Sequence, residues 1–325
     1  MVARAWGGER VAERRGPGLQ HATADNNRGV EEMFVQNETV SLCLLINRRA
    51  KTMRVVDFRA GPSHAKRIFV LKLAKREGIE KVYTLVERDE VSTWIKLGFA
   101  KEANIPGFYK RSDAFMLGCS VEGAELTPNL GLPMLDDDEE PPAPEPSAAH
   151  DLAEKTLVHA KKANKELLDR PLPVTKLAIC RENEIKKTVD KAVRAGRALT
   201  AFEPFGRDVE RRFFTVTGRG NFELVASTES QSCFGNAFLE LLTAPKTDAE
   251  RLCTISALRT ICDKLMSEGV VSCFALAPSD DVAMATAFVY NGFRRTGLLQ
   301  NHLAVGEERK DAIIFSRKLA NPADE

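Results

Sequence analysis

The sequence predicts an α/β (α+β) protein of two tandem lobes, each a mixed sheet flanked by helices, with the first lobe truncated. Three observations predict it. A set of landmarks recurs in order, an acidic and proline-rich break separates the two copies, and within each copy helix-period segments alternate with short apolar strands.

The first copy reads Glu77-Gly78-Ile79, two residues, Val82-Tyr83-Thr84-Leu85-Val86, two more, then Asp89-Glu90-Val91. The second reads Glu268-Gly269-Val270, two residues, Cys273-Phe274-Ala275-Leu276-Ala277, two more, then Asp280-Asp281-Val282. From the glycine to the final valine is 13 positions in both. Each copy goes on to a Gly-Phe pair, Gly98-Phe99 and Gly292-Phe293, and to Asp-Ala opening an apolar strand, Asp113-Ala114-Phe115-Met116 and Asp311-Ala312-Ile313-Ile314. The later spacings differ by three and four residues, the size of a loop or helix-turn insertion.

In the second copy Leu252, Ile255, Leu258, Cys262 and Leu265 form the stripe of an amphipathic helix that Gly269 ends. A buried strand follows at 274–277, then a helix capped by Ser279 or Asp280 and running to Asn291. A hairpin around Gly306 closes the copy. The first copy repeats this with a helix from His64 to Arg76, a strand at Val82–Val86 and a helix near Asp89–Leu97. Upstream, Arg212–Thr217, Phe222–Thr228 and Ala237–Thr243 read as a three-strand meander, whereas the first lobe has room only for Val40–Ile46 and Arg54–Phe58. The expected division is a disordered tail over 1–32, a partial lobe over 33–120, a linker over 121–150 and a fuller lobe over 151–320. The linker carries Asp136-Asp137-Asp138-Glu139-Glu140 and then Pro141, Pro142, Pro144 and Pro146, a solvated, semi-extended composition. The helix from Asp151 to Leu168 has a thin apolar stripe and is expected to pack on the second lobe.

Bulk properties exclude several classes. With 325 residues and 43% apolar composition, the chain has material for two cores. Lys plus Arg number 47 against 46 Asp plus Glu, with no basic stripe, so nucleic acid is not an expected partner. The seven cysteines include no C-x-x-C pair, which argues against a disulfide framework or structural zinc, and no metal is expected. Free thiols of this kind fit a cytoplasmic protein. No apolar run approaches the roughly 20 residues of a membrane span, so no membrane partner is expected. Lone histidines such as His302 and His159 are expected to be structural or solvated.

The element order resembles that of the GNAT acyltransferases. The residues that carry the resemblance are Trp94-Ile95-Lys96-Leu97-Gly98-Phe99 and Phe288-Val289-Tyr290-Asn291-Gly292-Phe293. Two further stretches add to it, Asp311 through Leu319 and Ile105-Pro106-Gly107-Phe108-Tyr109. The resemblance covers about 200 residues and implies acetyl-CoA or another acyl-CoA as co-substrate and an amine, on a small molecule or a protein, as acceptor. It also implies a central strand that splays from its neighbour to take the pantetheine arm, and a helix whose N-terminus faces the pyrophosphate.

Several residues fall where that resemblance places function. In the second lobe the strand leads through Leu242, Ala244 and Pro245 into Lys246-Thr247-Asp248-Ala249-Glu250-Arg251. Ala249 and Arg251 stand where the family's loop glycines would, Lys246 and Arg251 offer charge to phosphates, and Thr247 or Asp248 is the expected helix cap. An ordinary capped helix start is the other reading. In the first lobe Gly61, Ser63 and His64 precede a helix and form either a phosphate loop or a plain turn. Glu240, an acid in an apolar strand, is the expected general base; otherwise it faces solvent or pairs with an arginine. The family's acid is a Tyr five residues before the Phe of Gly-Phe, a position held by Phe288 and Trp94. Tyr290 lies two residues on and faces elsewhere; Tyr109 substitutes only if its hairpin folds toward the thiol. Three functions stay open: an acyl-CoA-dependent N-acyltransferase, a non-catalytic binder of acyl-CoA or a protein, and a structural pseudo-dimer.

Overall fold

The computed structural model describes residues 20–21, 30–38, 40–59, 61, 63–126, 147–195, 198, 205–206, 209–231, 233–242, 245–305 and 308–320. The acidic and proline run of the linker lies outside the described residues.

The first lobe opens with a two-residue strand β1 (Gln20–His21) and a meander of β2 (Val30–Gln36), β3 (Ser41–Asn47) and β4 (Thr52–Asp57). It continues through α1 (His64–Arg76), β5 (Lys81–Val86), α2 (Val91–Lys96), β6 (Ala100–Ile105) and β7 (Ala114–Ser120). The helix α3 (Ala148–Leu167) leads into the second lobe, β8 (Lys176–Cys180), α4 (Glu182–Arg194), β9 (Glu210–Thr217), β10 (Glu223–Gln231) and β11 (Asn236–Leu241). Then come α5 (Asp248–Ser267), β12 (Ser272–Pro278), α6 (Val282–Tyr290), β13 (Arg294–Val305) and β14 (Glu308–Lys318).

Three expectations change. Helix α6 is capped by Asp281, whose Oδ1 accepts the Met284 N–H at 2.9 Å, and not by Ser279 or Asp280. The meander of the first lobe has three strands, not two, and its first begins at Val30, inside the stretch expected to be a disordered tail. The adjacent acids Glu31 and Glu32 break the apolar alternation, yet each is used: Arg48 bonds Glu31 at 2.8 Å and the Cys43 thiol bonds Glu32 at 3.2 Å. The lobe is nevertheless the smaller, because α1 has 13 residues where its counterpart α5 has 20. The linker boundary also shifts, since Val121 is buried on the first core and the Glu125 carbonyl accepts from Arg67 at 2.8 Å.

The landmarks of the repeat have physical causes. Gly78, Gly98, Gly269 and Gly292 each follow a helix end with φ between 68° and 84°, the left-handed cap that a side chain disfavours. Asp113 Oδ1 accepts the Gly107 N–H at 2.9 Å and Asp311 Oδ1 accepts the Asn301 N–H at 2.7 Å, so each Asp-Ala step pins its hairpin.

Among the described residues all strands join one 14-stranded sheet ordered β1-β2-β3-β4-β5-β7-β6-β13-β14-β12-β11-β10-β9-β8. Read from either end, the two halves mirror one another about the β6–β13 seam. The pair that bridges the seam is Ala103 with Gly297, each five residues beyond its Gly-Phe glycine, so the lobes meet about a pseudo-twofold axis at equivalent positions. A β-carbon on Gly297 would lie 2.1 Å from the Ala103 Cβ.

Helices α1 and α2 cover one core, which includes Val70, Leu71 and Trp94, and α3, α5 and α6 cover the second, which includes Leu157, Leu258 and Phe288. Trp94 and Phe288 are each about 1% exposed, and truncating such a side chain to alanine costs about 3–5 kcal/mol. A third cluster lies on the opposite sheet face and draws on both lobes, Tyr83, Ile105 and Phe108 meeting Phe205, Phe238 and Phe274. Polar bonds cross the same boundary: Asn236 Nδ2 donates to the Phe108 carbonyl at 2.7 Å, Ser272 Oγ to that of Pro106 at 3.0 Å, and Arg54 Nη1 to that of Phe205 at 2.6 Å. His302 is buried edge-on to the Tyr83 ring at 4.9 Å, and burial pushes its pKa down to about 3, so it is neutral. His159 is exposed.

Candidate functional site

In the second lobe the parallel ladder between β11 and β12 pairs Asn236 through Leu239 with Ser272 through Ala275 and then stops. Beyond that pair the strands part while both continue, β11 to Leu241 and β12 to Pro278. The side chains on the face shared with the other lobe are Phe238 and then Glu240, at the mouth of the gap.

Glu240 is 6% exposed and its Oε2 accepts from Arg211 Nη2 at 3.1 Å and Ser227 Oγ at 2.9 Å. Beside it, on β10, lies Glu229, which the sequence did not single out. Its carboxylate is 2% exposed, accepts the backbone N–H groups of Phe205 and Gly206 at 3.0 and 2.9 Å, and lies 3.6 Å from Arg211 Nε. Burial lifts its pKa to about 7; Arg211 opposes that rise, the charge of Glu240 adds to it, and the two backbone donors oppose it. Arg211 thus sits between two carboxylates, one of which titrates near neutrality.

Helix α5 begins beyond the gap. Thr247 caps it, accepting the Glu250 N–H at 3.2 Å, and the Glu250 carboxylate reaches back to the Lys246 N–H at 2.8 Å, a capping box. Asp248 pairs with Arg251 at 3.4 Å. The first turn of α5 and the β9–β10 turn enclose a cavity of about 340 Å³, lined by Arg219, Thr247, Ala249 and Glu250 among others. Lys246 is exposed beside it, and Leu242 is buried against α4 with Phe213 and Val225. Ala244 lies outside the described residues.

The first lobe has the same strand parting, because β4 and β5 pair over Thr52–Val55 with Lys81–Thr84 and then separate. Here a buried ion pair stands beside the opening, at the end of β4. Lys66, 2% exposed, turns inward from the first turn of α1 and pairs with Asp57, and it donates to the carbonyls of Arg59 at 2.9 Å and Gly61 at 3.0 Å. Its ammonium also lies 5.9 Å from the Trp94 ring centroid. The Gly61 carbonyl is therefore spent on Lys66, Ser63 caps α1 with no side-chain bond, and His64 is exposed. Glu90 stands nearby, its pKa raised by burial and by Asp89, Asp57 and Glu87. Carboxylates and inward carbonyls repel a phosphate.

Tyr109 is drawn into the seam between the lobes, its ring 5.1 Å from Phe234 and 4.8 Å from Phe108, and burial pushes its pKa up to about 12. Trp94 packs edge-on to Phe99 and Phe288 stacks on Phe315, so both tyrosine-equivalent positions are core. Among the described residues no group of three or more His, Cys, Asp or Glu is placed to hold a metal, and no helix is long and apolar enough to cross a membrane.

Meander, helix, strand, helix and hairpin, with a parallel pair that parts beside a helix N-terminus, occur twice in this chain. This element order is GNAT-like. Among solved structures, the chain is similar to the ribosomal-protein-S18-alanine N-acetyltransferase of Escherichia coli, with 17% identity over 47% of this chain and 98% of that one and a TM-score of 0.36. It is also similar to the Vibrio cholerae spermidine N-acetyltransferase in complex with CoA and spermine, with 10% identity over 45% and 96% and a TM-score of 0.37. A third is a putative phosphinothricin N-acetyltransferase, with 15% identity over 45% and 99% and a TM-score of 0.35. No protein-family model matches the sequence, and no match was found among curated proteins. The likenesses to solved structures are likenesses of fold, and each spans less than half of this chain.

Proposed function

We propose that the C-terminal GNAT-like lobe is an acyl-CoA-dependent N-acyltransferase, acetyl being the simplest acyl group, and that the N-terminal lobe braces it without taking acyl-CoA. The supporting observation is the contrast between the two openings: β11 and β12 part beside Glu240, whereas a buried Lys66–Asp57 ion pair stands at the end of β4 beside the other opening.

In this reading the Leu241 backbone pairs with the pantetheine amides, and Lys246, Thr247, Ala249 and Arg251 flank the phosphates. Glu240, held by Arg211 and Ser227, takes a proton from the acceptor amine through a water. The amine nitrogen attacks the thioester carbon, the carbon–sulfur bond breaks, and water protonates the departing thiolate, since Trp94 and Phe288 have no proton to give. Tyr109 lies in the seam and takes no part.

The test is calorimetry with acetyl-CoA followed by thiol release with a panel of amines. One equivalent bound per chain, and a Glu240→Gln variant that still binds but turns over about 10²–10⁴-fold more slowly, support the reading. Two equivalents would overturn the assignment of the first lobe. The core positions of Trp94 and Phe288 favour a second reading, a non-catalytic acyl-CoA binder, which binding without thiol release would establish. Absence of binding would leave a structural pseudo-dimer.

A further inference from the structure

The route by which an amine would reach Glu240 is occupied. Glu240 shares a sheet face with Phe238, two residues before it on β11, since side chains alternate along a strand. Over that face, in the row before the strands part, lies the ring of Phe205. Its centroid is 4.6 Å from that of Phe238 and 5.5 Å from that of Phe274, two residues paired in the parallel ladder. Phe205 is 7% exposed, and the space left beside it, bounded by Phe238, Phe274 and Glu229 among others, is about 10 Å³. That is room for one water at most.

Backbone bonds fix the ring there. The N–H groups of Phe205 and Gly206 donate to the Glu229 carboxylate at 3.0 and 2.9 Å, and the Phe205 carbonyl accepts from Arg54 Nη1 at 2.6 Å. The Arg54 guanidinium also lies 5.2 Å from the Phe205 ring centroid, so one cation grips both the backbone and the ring. Arg54 belongs to the first lobe. The two parallel ladders begin at Thr52 with Lys81 and at Asn236 with Ser272, so Arg54 is the counterpart of Phe238, Tyr83 of Phe274, and Val56 of Glu240. The first lobe therefore has valine at the position of the proposed base, and it extends a cation from the position where the second lobe has an aromatic ring.

We infer that Phe205, held by Arg54 of the first lobe, blocks the acceptor side of the second lobe's opening, so that the first lobe restrains the second as well as bracing it. As a restraint on catalysis, the inference rests on the acyltransferase reading of that opening.

Two measurements on the full chain separate the block from the chemistry. A water-soluble carbodiimide with ethanolamine converts a reachable carboxyl to an amide, located by peptide mass spectrometry, and thiol release from acetyl-CoA with ethanolamine is followed in parallel. Glu240 is expected to stay unlabelled in the native chain and to be labelled in Arg54→Met and in Phe205→Ala. Both variants should release thiol about tenfold faster than the native chain at unchanged acetyl-CoA affinity, the scale of one hydrogen bond to a charged group. Melting temperatures check that each variant is folded. The inference is overturned if the native chain is labelled at Glu240 or releases thiol as fast as the variants do, or if both folded variants leave Glu240 unlabelled. Labelling that the variants open without thiol release in any chain upholds the block and overturns the acyltransferase reading.

Discussion

Glu229 has a consequence that solution measurements can reach. Its carboxyl titrates at about 7 in the folded protein and at 4.5 without the fold, so the folded chain holds this proton more tightly. Stability from this group is complete below pH 4.5 and is lost as pH rises through 7, a loss of about 3 kcal/mol at roughly 1.4 kcal/mol per unit. Urea denaturation at pH 5 and pH 8 should show that decline in the native chain, and a Glu229→Gln variant should show a flatter profile by about that amount; equal slopes would mean that the carboxylate is better solvated than its burial implies. Glu240 was legible in the sequence because an acid interrupts an apolar strand. Glu229 was not, because Thr228-Glu229-Ser230-Gln231 reads as a polar strand end. Its burial depends on Phe205 and Arg211, which cross-strand register and a distant loop bring to it.

At the level of elements, α5 begins with a conflict between stability and binding. The Thr247 hydroxyl takes the Glu250 N–H and the Glu250 carboxylate takes the Lys246 N–H, so the protein's own groups, one of them negative, occupy the place where a diphosphate would draw on backbone donors and on the helix dipole. Replacing Glu250 with alanine should therefore tighten acetyl-CoA binding severalfold in calorimetry while lowering stability by about 1 kcal/mol; weaker binding would show that Glu250 supports the site. The box was readable as Thr-x-x-Glu, and so were the helices and strands of the repeat, because glycine caps, apolar stripes and buried runs are local signals. Four elements were not, the two-residue β1 among them. β2 hides behind paired glutamates. β8 is an edge strand whose Ile179 is 59% exposed, so it lacks a buried alternation. The helix α4 carries Glu182, Glu184, Lys186 and Lys187 in its first turns and buries only a few residues such as Ile185 and Val189.

At the level of the molecule, the repeat announced two lobes but not that they share one sheet, since a seam between equivalent strands leaves no periodic mark. The strand pairing at the seam rests on a single close approach. A side chain at position 297 would meet the Ala103 Cα at 2.4 Å and the Glu102 carbonyl at 2.6 Å, which are backbone atoms that cannot rotate away. A Gly297→Val variant should lose about 2–3 kcal/mol and bind a hydrophobic dye as the cluster around Phe108, Phe205 and Phe274 opens. A variant that melts like the native chain would mean that the aromatic contacts, not the strand pairing, hold the lobes together.

The asymmetry of that contact, methyl on one side and hydrogen on the other, also bears on synthesis. The ribosome finishes β6 long before it reaches β13, and in the interval the first half presents a bare strand margin of the kind that recruits neighbours. Two such halves from adjacent ribosomes cannot zip together in the native manner, since both would bring the Ala103 methyl to a crossing that admits only one. The chain is thereby kept for its own second half.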